Sequence, residues 1–180
     1  MDHHQVVIAR WPGPGPSADR EVSDLLAAYH LRTEAEKGAA VADVAGLPDR
    51  YRTEILDPRT AFADDVVLVA LSDGRPDIAS SDGRGGSAGT AIGCLVLTAP
   101  VAGLSEIKRL WADPAFRGQG VGRRLVSAAL TLGTELGADT IRLSVWAWRT
   151  EARALYERLG FTVTDSWDER EDLICMQRTG

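Results

Sequence analysis

The 180-residue chain is poor in three chemically versatile residues: it has two cysteines, three histidines, and two lysines against eighteen arginines. Cys94 and Cys175 each lie inside an apolar, strand-like run, so they read as two buried thiols rather than a disulfide framework or a metal cluster. His3 and His4 have no carboxylate or cysteine at a ligand spacing, and no metal is expected. Long hydrophobic runs are also missing. Nothing approaches the roughly 18 apolar residues that a membrane span requires, and Met1 to Gln5 lack the apolar segment of a secretion signal. The expected setting is the cytoplasm, away from membranes. Net positive charge is missing too: the balance is −6, which argues against a nucleic-acid partner and leans toward cationic ones. The excess of arginine over lysine, with abundant Ala and Gly, is a compositional bias that carries little chemistry.

A length of 180 residues at 44% hydrophobic content supports one substantial core, so residues 1–180 are read as one domain. Val6 to Ile8 is a short strand, followed by a Pro/Gly turn over residues 11–16. Val22, Leu25, Leu26 and Tyr29 recur at helical spacing, and a weaker helical piece covers Asp49 to Leu56. Asp65 to Leu71 and Thr90 to Leu97 read as strands, the first apolar enough to be buried on both faces. Residues 72–89, rich in Gly, Ser and Asp, read as a long flexible loop. Ser105 to Ala112 is another strand, closed by Pro114. Val121, Leu125, Ala128, Leu132 and Leu136 mark a helix that Gly137 stops. Thr140 to Trp146 alternates as a two-faced strand, and a short helix opens at Arg149 or Thr150 and ends at Gly160. Phe161 to Thr164 and Asp172 to Gln177 form a last strand pair. This order predicts an α/β, mixed α+β fold with a mixed sheet and helices on both faces.

Between the strand ending at Ala112 and the helix beginning at Val121 lies Arg117-Gly118-Gln119-Gly120-Val121-Gly122. Glycine lets the backbone approach an anion closely, and the following helix aims its free N–H groups and positive dipole end at the same point. Arg117, Arg123 and Arg124 add positive charge to an otherwise acidic chain. On its own the turn is equally compatible with ordinary chain reversal. The flanking sequence has to decide between the two readings.

With that pattern the chain resembles the GNAT superfamily of N-acetyltransferases. The family's cofactor motif is Gln or Arg, two residues, Gly, one residue, then Gly or Ala, and Arg117, Gly120 and Gly122 fill its fixed positions. A second signature is present as Ala152, Leu155, Tyr156, Gly160 and Phe161. The resemblance is strong over Ser105 to Phe161 and topological before Asp65. It implies a central, mostly antiparallel sheet of six or seven strands, acetyl-CoA as acyl donor, an amine acceptor and, as in many relatives, a homodimer. It also implies that Leu110, Trp111 and Ala112 pair with the pantetheine arm like an added strand. Gly118, Gln119, Gly120, Val121, Gly122 and Arg123 would then carry the pyrophosphate together with Arg117. The family commonly has Asn seven residues before the tyrosine. Here Arg149 stands at that position, where a guanidinium can contact a phosphate or stack on adenine.

Acyl transfer from a thioester needs a neutral amine, a polarised carbonyl and a proton for the departing thiolate. Glu106, eleven residues before Arg117, stands where the histone-modifying branch of the family carries its catalytic glutamate, which makes it the candidate base. The alternative is a strand carboxylate paired with Lys108 or an arginine. Tyr156 matches the family's general acid, with a helix tyrosine packed on the sheet as its alternative. Trp146 and Trp148 read equally as acceptor-pocket lining or as packing. Direct transfer is expected, because neither cysteine falls in a motif. The whole-chain charge leans toward a small cationic acceptor. Modification of a protein N-terminus or lysine, and a weakly catalytic acyl-CoA-binding sensor, stand as the other readings.

Overall fold

The apolar run before the Gly/Ser-rich segment forms β2 (Val66–Ser72), next to the edge of a seven-stranded sheet. The other strands are β1 (Val6–Trp11), β3 (Thr90–Leu97), β4 (Leu104–Ala112), β5 (Thr140–Trp146), β6 (Thr162–Val163) and β7 (Leu173–Thr179), in spatial order β1-β2-β3-β4-β5-β7-β6. Neighbours are antiparallel except β4 and β5, which are parallel. The helices are α1 (Ser17–Glu36), α2 (Asp49–Leu56), α3 (Pro58–Ala61), α4 (Val121–Glu135) and α5 (Thr150–Arg158). This computed structural model describes residues 5–12, 17–72 and 89–180. Most of the expected loop at 72–89, and the turn residues 13–16, lie outside them.

Successive side chains of a strand point to opposite faces, and β2 uses both. Val67 and Val69 join Val22, Leu25 and Leu26 of α1 and Tyr51 and Ile55 of α2 in one apolar cluster. Leu68 and Ala70 join Leu125, Val126, Ala129 and Leu132 of α4 in the other. Each large apolar side chain taken out of water there is worth about 1.5–3 kcal/mol. The sheet is therefore covered on both faces, as its apolar strands required.

Two helical features went beyond the apolar periodicity. α1 continues past Tyr29 for nearly two more turns, because its later buried positions are the polar His30, Thr33 and Glu34. α3 is a single turn opened by Pro58, with the Asp57 carboxylate accepting from the Thr60 N–H.

The sheet opens at its centre. β4 and β5 pair from Leu104↔Thr140 to Ile107↔Leu143, and there the pairing ends although both strands run on to Ala112 and Trp146. On the other side of β4 the register with β3 shifts between Cys94 and Val96, leaving Arg109 and Leu110 opposite Leu95 alone. Arg109 occupies this bulge with a φ of 56°, in the left-handed region. The bulge bends β4 away from β5, and the backbone of both strands is left without a ladder partner across the gap.

Candidate functional site

The gap between β4 and β5 continues as a cleft of about 1140 Å³ running from the glycine loop to the faces of α1 and α2. It gathers Glu106, Leu110, Trp111, Ala112, Arg117, Gly118, Gly120, Val121, Gly122, Arg123, Arg149 and Tyr156 on one surface. Of the residues expected at a cofactor or catalytic site Gln119 and Arg124 are not part of the lining. Trp146 and Trp148 also line it, stacked on one another with ring centres 4.8 Å apart.

At one end, Gly118 and Gly120 have φ values of 78° and 77°, a conformation that side chains other than glycine's resist. The turn they make delivers the chain to the start of α4. The first amide of this region to find a helical carbonyl is Arg124 N–H, which donates to Gly120. Among the described residues, the N–H groups of Gly118 and of Gly120 to Arg123 donate to no backbone carbonyl. A row of unpaired donors at the positive end of a fifteen-residue helix is an anion cradle. Arg124 differs from its expected place. Its guanidinium donates to the Val6 carbonyl of β1 at 3.3 Å and does not line the cleft. Arg123 and Arg124 are neighbours on α4, so they point in different directions around its axis.

Midway along the cleft stands Tyr156, buried on α5 and packed edge-on against Phe161 with ring centres 5.9 Å apart. Burial holds its phenol above the ordinary tyrosine value. It is therefore fully protonated at neutral pH and able to donate.

The far end is a web of arginines, carboxylates and rings. Arg109, from the bulge, donates through Nε and Nη2 to both oxygens of Glu54 on α2, at 2.8 and 2.7 Å. His30 Nε2 lies 2.8 Å from the same carboxylate, and its ring stacks on Tyr51 at 4.2 Å. Burial alone would raise the Glu54 carboxyl, but hydrogen bonds from Arg109 and His30 bring it down to about 2. Burial pushes His30 the other way, below its ordinary value, against the pull of Glu54. An ionised carboxylate only accepts, so the neutral imidazole carries its proton on Nε2. Cys94, buried in β3, donates its thiol to the Arg109 carbonyl at 3.6 Å, and burial raises that thiol to about 12. Both cysteines are buried and neither lines the cleft.

Glu106 and Arg149 both turn out to be paired. Glu106 faces Arg142, its register partner on β5, at 3.4 Å. Arg149 Nε donates to Glu36 Oε2 at 2.8 Å and its Nη2 to Thr33 Oγ1 at 2.7 Å, and the guanidinium lies 5.6 Å from the centre of the Tyr29 ring. Glu36 also accepts from the Trp148 indole at 3.2 Å. Burial would raise the Glu36 carboxyl, yet Arg149, Arg32 and Trp148 hold it below the usual carboxylate value. Arg149 thus ties the start of α5 to α1 across the cleft.

A cradle of unpaired amides, strands splayed ahead of it and a protonated tyrosine on α5 thus line one cleft. A sequence model of the acetyltransferase (GNAT) family matches residues 47–161, well over half of the chain. The chain belongs to the GNAT acetyltransferase family. Its sequence is 39% identical over 74 residues to a mycothiol acetyltransferase of Beutenbergia cavernae, a match covering 41% of this chain and 25% of that one. It is 34% identical over 73 residues to the uncharacterized N-acetyltransferase YjgM of Escherichia coli K12, covering 41% and 44% respectively. These matches span less than half the length of either relative. Among solved structures, the PaiA N-acetyltransferase of Thermoplasma acidophilum in complex with coenzyme A superposes over 98% of this chain and 99% of its own, with a TM-score of 0.66 at 20% identity. The mixed, mostly antiparallel GNAT sheet and the acyltransferase class therefore agree with the sequence reading.

Several residues that line this GNAT cleft were not assigned to a site from sequence: Tyr29, His30, Arg50, Tyr51 and Arg109, with Glu54 behind them on Arg109 and His30. One signal was available. Lys108 and Arg109 put two charges in succession into an alternating strand, and a break in period two is how a bulge shows in a sequence. The others come from α1 and α2, whose cleft-facing polar residues look like ordinary solvated helix positions. Among the described residues no three His, Cys, Asp or Glu side chains gather as metal ligands do.

Proposed function

We infer that this GNAT protein is an N-acetyltransferase that holds acetyl-CoA in the gap between β4 and β5 and passes the acetyl group directly to a primary amine. The observation that carries the reading is the end of β4–β5 pairing at Ile107↔Leu143, in line with the unpaired amides ahead of α4. The pyrophosphate would rest on the N–H groups of Gly118 and of Gly120 to Arg123, with Arg117 and Arg123 beside it. The pantetheine arm would pair with the free backbone of Leu110, Trp111 and Ala112, as an added strand does. Its acetyl carbonyl then meets the amides of the β4 bulge, donors fixed in place before the oxyanion forms.

The amine nitrogen attacks the thioester carbon, a C–N bond forms and the C–S bond breaks. The nitrogen's surplus proton passes to Glu106, directly or through water. Tyr156 gives its phenolic proton to the departing thiolate, whose solution pKa of about 8.5 is lower than that of a tyrosine. Direct transfer is favoured over a covalent intermediate because both thiols are buried away from the cleft. An intact acid donor at the centre of the cleft favours catalysis over a sensor role.

Thermal unfolding with three ligands tests the cofactor site. Acetyl-CoA and CoA at 100 times their dissociation constants should each add about 2.7 kcal/mol to the folded state. An adenine nucleotide lacking the pantetheine arm should add far less. No shift with either thiol cofactor would remove acetyl-CoA from this cleft.

A further inference from the structure

The acceptor end of the cleft has a charge pattern opposite to that of the whole chain. The cleft is lined by nine arginines and lysines and four carboxylates, while the chain as a whole carries −6. Toward the acceptor end every lining carboxylate already has an arginine: Glu36 has Arg149 at 2.8 Å, Glu106 has Arg142 at 3.4 Å and Asp168 has Arg170 at 2.6 Å. Glu151, the fourth, stands one helical turn before Leu155, whose side chain packs against Gly122, and so belongs to the cofactor end. Aromatic faces are occupied as well. Arg109 and Arg149 lie over Tyr29, Arg50 over Tyr51, Lys37 and Arg170 over Trp146, and Arg142 over Trp167, all within 6 Å of a ring centre. An incoming ammonium therefore finds no free carboxylate there, and Trp148, stacked on Trp146, is the lining ring at that end with no cation over it.

One cation in this group is differently placed. Arg50 stands exposed at the rim, stacked 4.5 Å over the Tyr51 ring and donating to the Tyr51 hydroxyl at 2.7 Å. It has no carboxylate within ion-pair distance among the described residues. A guanidinium held over a ring with N–H groups still free can meet both oxygens of an oxyacid.

We propose that the acceptor is a primary amine carrying an anionic oxyacid group, a carboxylate or a phosphate, and that Arg50 receives that group. This rests on the acetyltransferase reading above and specifies its acceptor. The same surplus of positive charge also serves the chemistry. Cations around the acceptor nitrogen disfavour its ammonium form, and each unit of downward shift from a pKa of about 10 raises the reactive neutral fraction tenfold near pH 7.

The test compares matched acceptors with the full-length enzyme and acetyl-CoA: amino acids against their decarboxylated amines, phosphoethanolamine against ethanolamine, and spermidine as the polycation. The proposal expects kcat/KM at least about tenfold higher for the anionic member of a pair, and the preferred pair identifies the oxyacid. Arg50→Ala should lower kcat/KM for that acceptor by about 10- to 100-fold, mainly through KM, and change it far less for the member of the pair that lacks the oxyacid group. Arg50→Lys should retain part of the preference. Because Arg50 is exposed, both variants should keep the wild-type melting temperature and the full acetyl-CoA shift. Better turnover of spermidine or of the decarboxylated amines would overturn the proposal. So would an equal loss on both members of a pair. A missing acetyl-CoA shift in the wild-type protein would instead bring down the cofactor reading, and this proposal with it.

Discussion

Tyr156 and Glu106 carry the two proton transfers of the proposed reaction under very different local conditions. Tyr156 is buried, and its raised pKa keeps it a donor at any pH where the protein works. Replacing it with phenylalanine keeps the ring against Phe161 and removes only the acid. Turnover should fall by about 10²-fold with the acetyl-CoA-induced thermal shift intact. Unchanged turnover would take Tyr156 out of the mechanism. Its place in the cleft lining was readable from the Leu155-Tyr156 signature, because a helix tyrosine at that spacing needs no distant partner to define it. Glu106 and Arg149 were less legible. Their partners, Arg142 and Glu36, are 36 and 113 residues away in sequence, so no local pattern announces the pairing.

At the scale of the element, β4 decides how the cleft is shaped. A non-glycine residue in the left-handed region costs on the order of 1–3 kcal/mol, and it persists only where its surroundings hold it. Arg109 is held on both sides, by two hydrogen bonds from its side chain to Glu54 and by the Cys94 thiol on its carbonyl. In the proposed reaction Glu54 therefore acts at a distance, by keeping the bulge whose amides would meet the thioester carbonyl. Glu54→Ala should lower kcat at least tenfold while changing the KM for acetyl-CoA much less. Adding Arg109→Gly should restore much of that loss, because glycine adopts the same φ without a brace. Adding Arg109→Ala removes the stranded charge and keeps the backbone strain, so it should restore less. Equal recovery by the two double variants would show that the unpaired charge, not the backbone, caused the defect. The strand itself was placed at Ser105 to Ala112, closed by Pro114, close to where it lies. The bulge was not assigned, since its only trace was the Lys108-Arg109 pair and its support comes from α2.

Across the whole molecule, the legible parts are those whose cause is local. α2, β3 and β5 occupy the residues that their periodicity assigned, and the glycine loop lies where its motif placed it. The acceptor wall is different, because it forms only when α1, α2 and β4 meet, and the polar residues that meet there carry no period. That meeting also ties stability to pH. Glu54 lies on α2, accepts from His30 of α1 and Arg109 of β4, and is held at about 2 against an ordinary 4.5. A carboxyl depressed in the folded state contributes stability that is complete above its unfolded pKa and is lost as pH falls toward its folded one. The window here runs from about pH 4.5 down to about 2, and the contribution is on the order of 3 kcal/mol. His30 acts in the same direction earlier. Its imidazole is held neutral below its ordinary 6.5, so acid first protonates the unfolded chain and draws the equilibrium toward it. Urea unfolding at pH 7, 5, 4 and 3 should show the wild-type midpoint falling steadily. The Glu54→Gln variant should start lower at pH 7 and lose less on acidification, so the two curves converge. A gap that stays constant down to pH 3 would mean that the charge on Glu54 does not hold the three elements together.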